Sequence, residues 1–114
     1  MEKTAKKEIQ AQYKDREIIG GVYAIKNTRN NKLLVDAAVD IRGSKNRFEF
    51  AQKTGSCVHP KLQDDWTKQA GKQFEFQVLD ELKKGEAQSM PEFKAEIELM
   101  KQIRLQTLPE ELLY

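Results

Sequence analysis

The sequence predicts a single α+β domain whose sheet is at least partly antiparallel, and three observations lead to this class. Its 114 residues suit one domain built around one core. Hydropathy patterns along the chain predict the order helix, strand, strand, helix, helix, strand, helix. The first two strands are joined by a short polar turn and therefore form an antiparallel hairpin, so helices must cover the apolar faces of the sheet.

The sheet is predicted from three β-prone segments, at residues 22–25, 32–39 and 74–78. Between the first two lies an Asn-rich stretch, residues 27–31, and Asn tolerates the left-handed backbone that hairpin turns need. In the third segment Phe74, Phe76 and Val78 alternate with polar residues. A period of two indicates a strand that buries one face.

Two helices are predicted between the second and third strands. Asp40 stands where an N-cap would begin a helix that runs to about Lys53. The next helix begins at Ser56 or His59, with Pro60 in its first turn and an apolar stripe at Leu62, Trp66 and Ala70.

The last helix is predicted from a capping-box pattern at Ser89 and Glu92. One face of this helix carries Phe93, Ile97, Met100 and Arg104, and Leu99 and Ile103 are expected to widen that face.

Around this core we expect a helical arm over residues 1–18, a main domain over residues 19–108 and a short apolar tail over residues 109–114. In the arm, Ile9 and Tyr13 are four residues apart and share a helix face. Gly20 and Gly21 are expected to end the arm.

Composition excludes several functional classes. No run approaches the roughly 20 apolar residues of a membrane span, and residues 1–10 are charged, so neither a span nor a secretory signal is expected. The one cysteine, Cys57, excludes an internal disulfide framework and a multi-cysteine zinc site. We therefore expect a cytoplasmic protein.

Charge is uneven along the chain. Residues 1–57 hold 12 basic and 7 acidic residues, and residues 58–114 hold 8 and 11. The basic half fits either a footprint for phosphates or a solvated surface.

The predicted hairpin carries a recognisable pattern. Gly21-Val22-Tyr23, followed after one turn by Leu34-Val35-Asp36, resembles the two signature strands of the GIY-YIG nuclease family. Further similarity lies at residues 23–32, at residues 59–66, at residues 74–79 and at Glu98. It covers roughly residues 19–105, and it is similar to short stand-alone bacterial members whose motifs have drifted.

The resemblance implies a small, largely antiparallel three-stranded sheet flanked by helices. It also implies a chemistry, because active members cut a DNA phosphodiester with one divalent metal ion held by a glutamate. A tyrosine of the first motif serves as the base or as a group that activates the nucleophile, and a second tyrosine and a helix arginine assist. DNA would then be the partner, and Mg²⁺ or Mn²⁺ the cofactor if the chain is active.

This chain has two of the family's catalytic groups and lacks the others. Tyr23 stands at the first tyrosine, and Glu98 at the glutamate, with Glu96 as the alternative after a shift of two residues. The positions of the family's second tyrosine, glycine, arginine and histidine are taken by Leu34, Asp36, Ser44 and Phe48. Since losing one transition-state donor typically costs on the order of 10²–10³ in rate, we expect impaired cutting.

Arg47 is the candidate replacement for the missing arginine, because it lies three residues after Ser44 on a nearby helix face. If the chain is active, the resemblance makes Tyr23, Arg47 and Glu98 the catalytic residues and Glu98 the metal ligand. The alternative is that Arg47 is a solvated surface residue.

Asp36 admits more than one role. It would lie near Tyr23 across the hairpin, where it either binds a metal ion or repels phosphate.

Basic residues crowd the predicted hairpin turn and the helix after it. The candidate nucleic-acid-binding residues are Lys26, Arg29, Lys32, Arg42, Lys45, Arg47 and Lys53. On one face they would contact phosphates without reading sequence. Asp36, Asp40 and Glu49 would weaken their field.

Cys57 and His59 are weighed as a thiol–imidazole nucleophile, and a small buried thiol beside a helix-start histidine is the preferred interpretation. Trp66 is expected in the core.

The favoured hypothesis is a GIY-YIG-like domain that no longer cuts efficiently and acts as a DNA-binding or interaction module. One alternative is a metal-dependent DNA endonuclease with an altered site. The other is a protein-interaction domain without a nucleic-acid role, whose arm and tail (Leu112, Leu113, Tyr114) supply the contacts.

Overall fold

A computed structural model describes residues 18–69 and 71–114 of the chain. The predicted arm, with Ile9 and Tyr13, lies outside the described residues. Within them the elements are β1 (Ile19–Asn27), β2 (Leu33–Ala38), α1 (Ile41–Thr54), α2 (Gln63–Gln69), β3 (Phe74–Lys83) and α3 (Met90–Gln106). Short 3₁₀ turns at Pro60–Leu62 and Glu110–Leu112 precede α2 and follow α3.

The α+β class is confirmed. The described residues form one three-stranded sheet in the order β2-β1-β3, with β1 antiparallel to both neighbours. The Asn-rich turn closes the β1–β2 hairpin as predicted, with Asn31 at φ 62° and its amide donating to the Asn27 carbonyl at 2.7 Å.

Each face of the sheet buries its own core because successive strand residues point to opposite sides. Ile25, Leu34 and Phe74 pack with Phe48 of α1 and Trp66 of α2. Trp66 is fully buried and stacks on Phe74, as its helix stripe predicted.

The opposite face packs against α3 and the chain end. Val22, Ala24 and Val35 form its buried centre, and Met100 and Leu113 pack against it. Helices therefore cover the central strand on both faces. The strands extend past both cores, so some of their side chains lie outside the cores.

The helix boundaries follow the predicted caps. Asp40 caps α1 by accepting from the Gly43 amide at 3.0 Å, and Gly55 ends that helix in the left-handed conformation at φ 75°. Ser89 caps α3 by accepting from the Glu92 amide at 3.3 Å. These caps set where the two helices that flank the site begin.

The glycine pair has a different role from the one predicted. Gly20 and Gly21 lie inside β1 rather than ending a helix. A Cβ on Gly21 would lie 1.9 Å from the Asp80 carbonyl oxygen, and one on Gly20 would lie 2.5 Å from Ile97 Cδ1. Glycine is required here because β3 and α3 approach the strand too closely for a side chain.

One further expectation is corrected. Leu99 and Ile103 do not widen the buried face of α3, since they are 60% and 55% exposed. The last residues of the chain pack back onto the sheet, because the Tyr114 amide donates to the Leu33 carbonyl at 3.0 Å. The Tyr114 hydroxyl also donates to Asp65 Oδ2 at 2.8 Å.

No helix in the part of the chain that the structure describes is long and apolar enough to cross a membrane.

Candidate functional site

An open cleft of about 420 Å³ lies where the end of β2, the start of α1 and the middle of α3 meet. Its walls are Tyr23, residues 36–40, Ser44, Arg47, Lys94, Ile97 and Glu98. The structure thus brings Tyr23, Arg47 and Glu98, the three residues predicted for catalysis, to one cleft from three different elements.

Tyr23 is placed by the sheet. It lies directly opposite Asp36 in the β1–β2 register, and its ring stacks on Phe76 at 4.8 Å between centroids. Burial raises the pKa of the Tyr23 hydroxyl above its usual 10.0, and the charge of Asp36 raises it further, whereas Arg47 and Ser44 act in the opposite direction. The phenol therefore keeps its proton at neutral pH.

Arg47 reaches the cleft along its own helix. Its Nη2 donates to Ser44 Oγ at 3.0 Å, and Ser44 is buried. Ser44 is the position at which the resemblance places an arginine that this chain lacks. Arg47 lies one turn further along α1, and its guanidinium therefore reaches the side chain of Ser44.

Asp36 is held on both sides at the edge of the sheet. Its Oδ1 accepts from the Ala37 amide at 2.8 Å and from Lys101 Nζ at 3.3 Å. The charge that Asp36 adds to the cleft is thus partly balanced by a cation of α3.

Glu98 and Lys94 face the cleft from α3, on either side of the buried Ile97. Glu96, the alternative to Glu98, instead accepts from Gln88 Nε2 at 2.7 Å and is not among the cleft residues. Geometry therefore favours Glu98 over Glu96 as the acid of this site.

The carboxylates of the cleft decide whether it fits a divalent cation. Across residues 18–69 and 71–114, no group of three or more His, Cys, Asp or Glu residues is arranged to hold a metal ion. Mg²⁺, however, usually takes one or two carboxylates together with water and substrate phosphates. Glu98 therefore fits a hydrated ion held by one carboxylate, but the cleft is not a closed metal cage.

At two positions where the resemblance places polar catalytic residues, this chain has apolar side chains that do not face the cleft. Leu34 and Phe48 are buried in the core beside Trp66, with 6% and 4% of their surfaces exposed. Neither position offers a polar atom to the cleft, so no second phenol or imidazole is present there.

The seven predicted nucleic-acid-binding residues do not converge on one site. Arg47 alone among them lines the cleft, and Arg42 and Lys45 line an adjoining groove. Lys26, Arg29 and Lys32 lie at the hairpin turn, about 10–20 Å further along the strands by the rise per residue. Lys53 is in the last turn of α1.

Cys57 and His59 do not form a nucleophile pair. The Cys57 thiol donates to the His59 carbonyl at 2.9 Å, and His59 Nδ1 accepts from the Lys61 amide at 3.1 Å. The imidazole thus caps the turn before α2, and its Nδ1 is occupied by that bond.

Sequence reasoning missed Lys94, which lines the cleft, and Lys101, which pairs with the cleft residue Asp36. Together with Glu98 they fall at a spacing of four and then three residues, which places them on one face of α3. That spacing was readable from the sequence, but which face of α3 would meet the cleft was not.

This arrangement, a β2-β1-β3 sheet whose first hairpin presents a tyrosine to a helix glutamate, is that of a nuclease-like domain with a GIY-YIG-like fold. Two solved structures carry the comparison. The catalytic domain of homing endonuclease I-TevI is 28% identical, with a TM-score of 0.57, over 78% of this chain and 87% of that chain. A mutant catalytic domain of intron endonuclease I-TevI is 29% identical, with a TM-score of 0.58, over 79% and 84%.

No protein-family model matches the chain, and no curated protein matches it.

Proposed function

We propose that this domain binds the DNA backbone in the cleft and cuts it slowly with the help of a divalent cation. The observation that carries the proposal is the convergence of Tyr23, Arg47 and Glu98 on one cleft, with Arg47 bonded to Ser44. The similarity to an endonuclease catalytic domain makes a DNA phosphodiester the substrate that best suits these groups.

Phosphate binding rests on the cations of the cleft. Arg47 and Lys94 line it, and Lys101 offsets the charge of Asp36. Asp40 lines the cleft as well, but its Oδ1 is engaged as the cap of α1. Since cations and acids nearly balance, binding is expected to be weak and to fall steeply as salt concentration rises.

Glu98 would hold the divalent cation, and the bound ion would neutralise negative charge that builds up on the phosphate. The chain's own groups do the remaining work. Arg47 stabilises the phosphate oxygens in the transition state, and Tyr23 takes part in removing a proton from the attacking water.

Slow cutting follows from the groups that are missing. Leu34 supplies no hydroxyl and is sealed in the core. Arg47 approaches from one turn further along the helix, so its alignment with the phosphate differs from that of an arginine at position 44. One misplaced donor of this kind costs on the order of 10²–10³ in rate.

The experiment separates binding from cutting. DNA affinity is measured by fluorescence anisotropy for the full chain, Arg47→Ala and the matched control Arg29→Ala at the hairpin turn. Binding that weakens with salt, and weakens more in Arg47→Ala than in Arg29→Ala, supports the proposal. Equal loss in both variants, or no binding, contradicts it.

Cutting is measured as nicking of supercoiled plasmid with Mg²⁺ or Mn²⁺. We expect slow nicking that is abolished by Glu98→Ala and by Tyr23→Phe. Nicking that survives in both variants would come from a contaminant or from another site.

A protein-interaction role is the second candidate function. Leu99 and Ile103 favour it, since both are exposed one turn apart on α3. The tail no longer supports it, because Tyr114 bonds within the domain. Failure to bind DNA at low salt would make this candidate the better one.

A further inference from the structure

We propose that Asp36 accepts, through Tyr23, the proton that leaves the attacking water. The inference rests on the proposed function and assigns a role to a residue that stands where the resemblance places a glycine. Asp36 would act on the water only through the Tyr23 phenol. It is therefore a positioning residue that does not touch the substrate.

The register of the hairpin places the two groups together. Tyr23 and Asp36 are directly opposed in adjacent antiparallel strands, and both line the cleft. Opposed residues on one face of such a pair have Cβ atoms about 4.5–5.5 Å apart, which brings a phenol and a carboxylate within reach. A shift of one residue in register would move Asp36 to the other face.

The hydrogen bonds around Tyr23 run in one direction. Arg47 Nη2 donates to Ser44 Oγ. Asp36 raises the pKa of Tyr23, as a carboxylate that accepts from the phenol does, whereas Ser44 lowers it, as a hydroxyl that donates to the phenol does. With Asp36 directly opposite Tyr23 in the hairpin, the carboxylate is the group placed to accept a proton that leaves the phenol.

The carboxylate is prepared for that role. Its Oδ1 is held by the Ala37 amide and by Lys101 Nζ, which fixes the orientation of the side chain. A phenol that keeps its proton at neutral pH is a poor base alone. It can accept a proton from water only if its own proton passes on at the same time, and Asp36 is the group placed to take it.

The step balances as a hydrolysis. The water oxygen forms a bond to phosphorus, and the phosphorus–oxygen bond to the leaving strand breaks. One proton of the water passes to the Tyr23 oxygen while the Tyr23 proton passes to Asp36. The leaving alkoxide takes a proton from solvent water, and Asp36 later returns its proton to solvent.

The competing interpretation is that Asp36 only repels phosphate. The two predict opposite results for Asp36→Asn, which keeps the shape of the side chain and removes its basicity. A repelling carboxylate lowers both affinity and rate, so its removal would raise both. A proton acceptor is needed for the rate, so its removal would lower the rate even where DNA binds more tightly.

The test measures single-turnover nicking of supercoiled plasmid with Mn²⁺ at neutral pH. The proteins are the full chain, Asp36→Asn, Asp36→Glu and the charge-matched control Glu110→Gln, whose site lies in the turn after α3. The charged and titratable groups that face Asp36 are Tyr23, Asp40, Arg47, Lys94, Glu98 and Lys101.

We expect Asp36→Asn to nick about 10²–10⁴-fold more slowly, with DNA affinity equal to or tighter than that of the full chain. Asp36→Glu, which restores a carboxylate, should recover part of the rate. Glu110→Gln should match the full chain. A purely structural role for Asp36 would leave the isosteric Asp36→Asn closer to the full chain than the longer Asp36→Glu.

Nicking by Asp36→Asn at or above the rate of the full chain overturns the inference and leaves the proposed function standing. Absence of nicking by the full chain also overturns it, while salt-sensitive binding through Arg47 would still support DNA binding. Thermal unfolding of each variant shows whether a lost rate reflects lost folding.

Discussion

At the scale of single residues, Ser44 holds the side chain of Arg47 at the cleft. Ser44 is buried and accepts from Arg47 Nη2, so the serine fixes a long side chain that would otherwise move freely in solvent. A residue that looks like a loss in the sequence therefore anchors the cation that stands in for the missing arginine.

Ser44→Ala tests this anchoring. Removing the hydroxyl frees Arg47 from its bond to Ser44, so we expect nicking to slow by about tenfold or more. Folding stability should fall by only about 1 kcal/mol, the usual net value of one hydrogen bond. Nicking rates and urea unfolding give the two numbers, and a double variant with Arg47→Ala should show non-additive loss. Fully additive losses would mean that the two side chains act independently.

Sequence reasoning at this scale reached the residues but not their relations. Tyr23, Asp36 and Arg47 were identifiable from the hairpin pattern and the spacing on α1. The bond from Arg47 to Ser44 and the pairing of Asp36 with Lys101 depend on rotamers and on how α3 packs, and neither is encoded in local spacing.

At the scale of elements, α3 carries both the acid and the cations of one cleft wall. Its buried face is narrow, since Phe93 and Ile97 are fully enclosed while Leu99 and Ile103 are exposed. The sequence predicted a wider face because it shows which residues are apolar but not how many layers cover them. Among the described residues, this helix packs along one stripe against β1 and β2.

Ser89→Ala is expected to destabilise the protein through α3. The Ser89 hydroxyl accepts from the Glu92 amide at the first turn, and such caps contribute about 0.5–2 kcal/mol. Urea unfolding should show a lower midpoint at an unchanged slope, and Ser89→Asp should restore it. An unchanged midpoint in Ser89→Ala would mean that the cap contributes nothing to folding.

At the scale of the whole molecule, the chain end closes the fold beside the hairpin turn. Tyr114 bonds to Asp65 in the first turn of α2 and accepts from Asn27 Nδ2 at 2.8 Å, so residues from three distant parts of the chain meet there. Sequence reasoning treated these last residues as a separate tail, because contacts across 87 positions leave no local pattern.

Alkaline pH should reveal how the two half-buried phenols, Tyr23 and Tyr114, are linked to folding. Burial is the main cause that raises the pKa of both Tyr23 and Tyr114 above 10.0 in the folded state. The folded chain therefore holds these protons more tightly than the unfolded chain, and the stability they contribute is present below pH 10 and lost as pH rises above it. Chemical unfolding across this range should show a shallower decline in Tyr23→Phe and Tyr114→Phe than in the original chain. Identical slopes would mean that neither phenol is linked to folding.

The central claim is that DNA binds at the cleft and not at the basic hairpin turn. A titration of the isotope-labelled chain with a short DNA duplex, followed by amide NMR shifts, tests it most directly. The account predicts the largest shifts at residues 36–47 and 94–98, with small shifts at residues 27–32. The largest shifts at the hairpin turn, or none in either region, would contradict it.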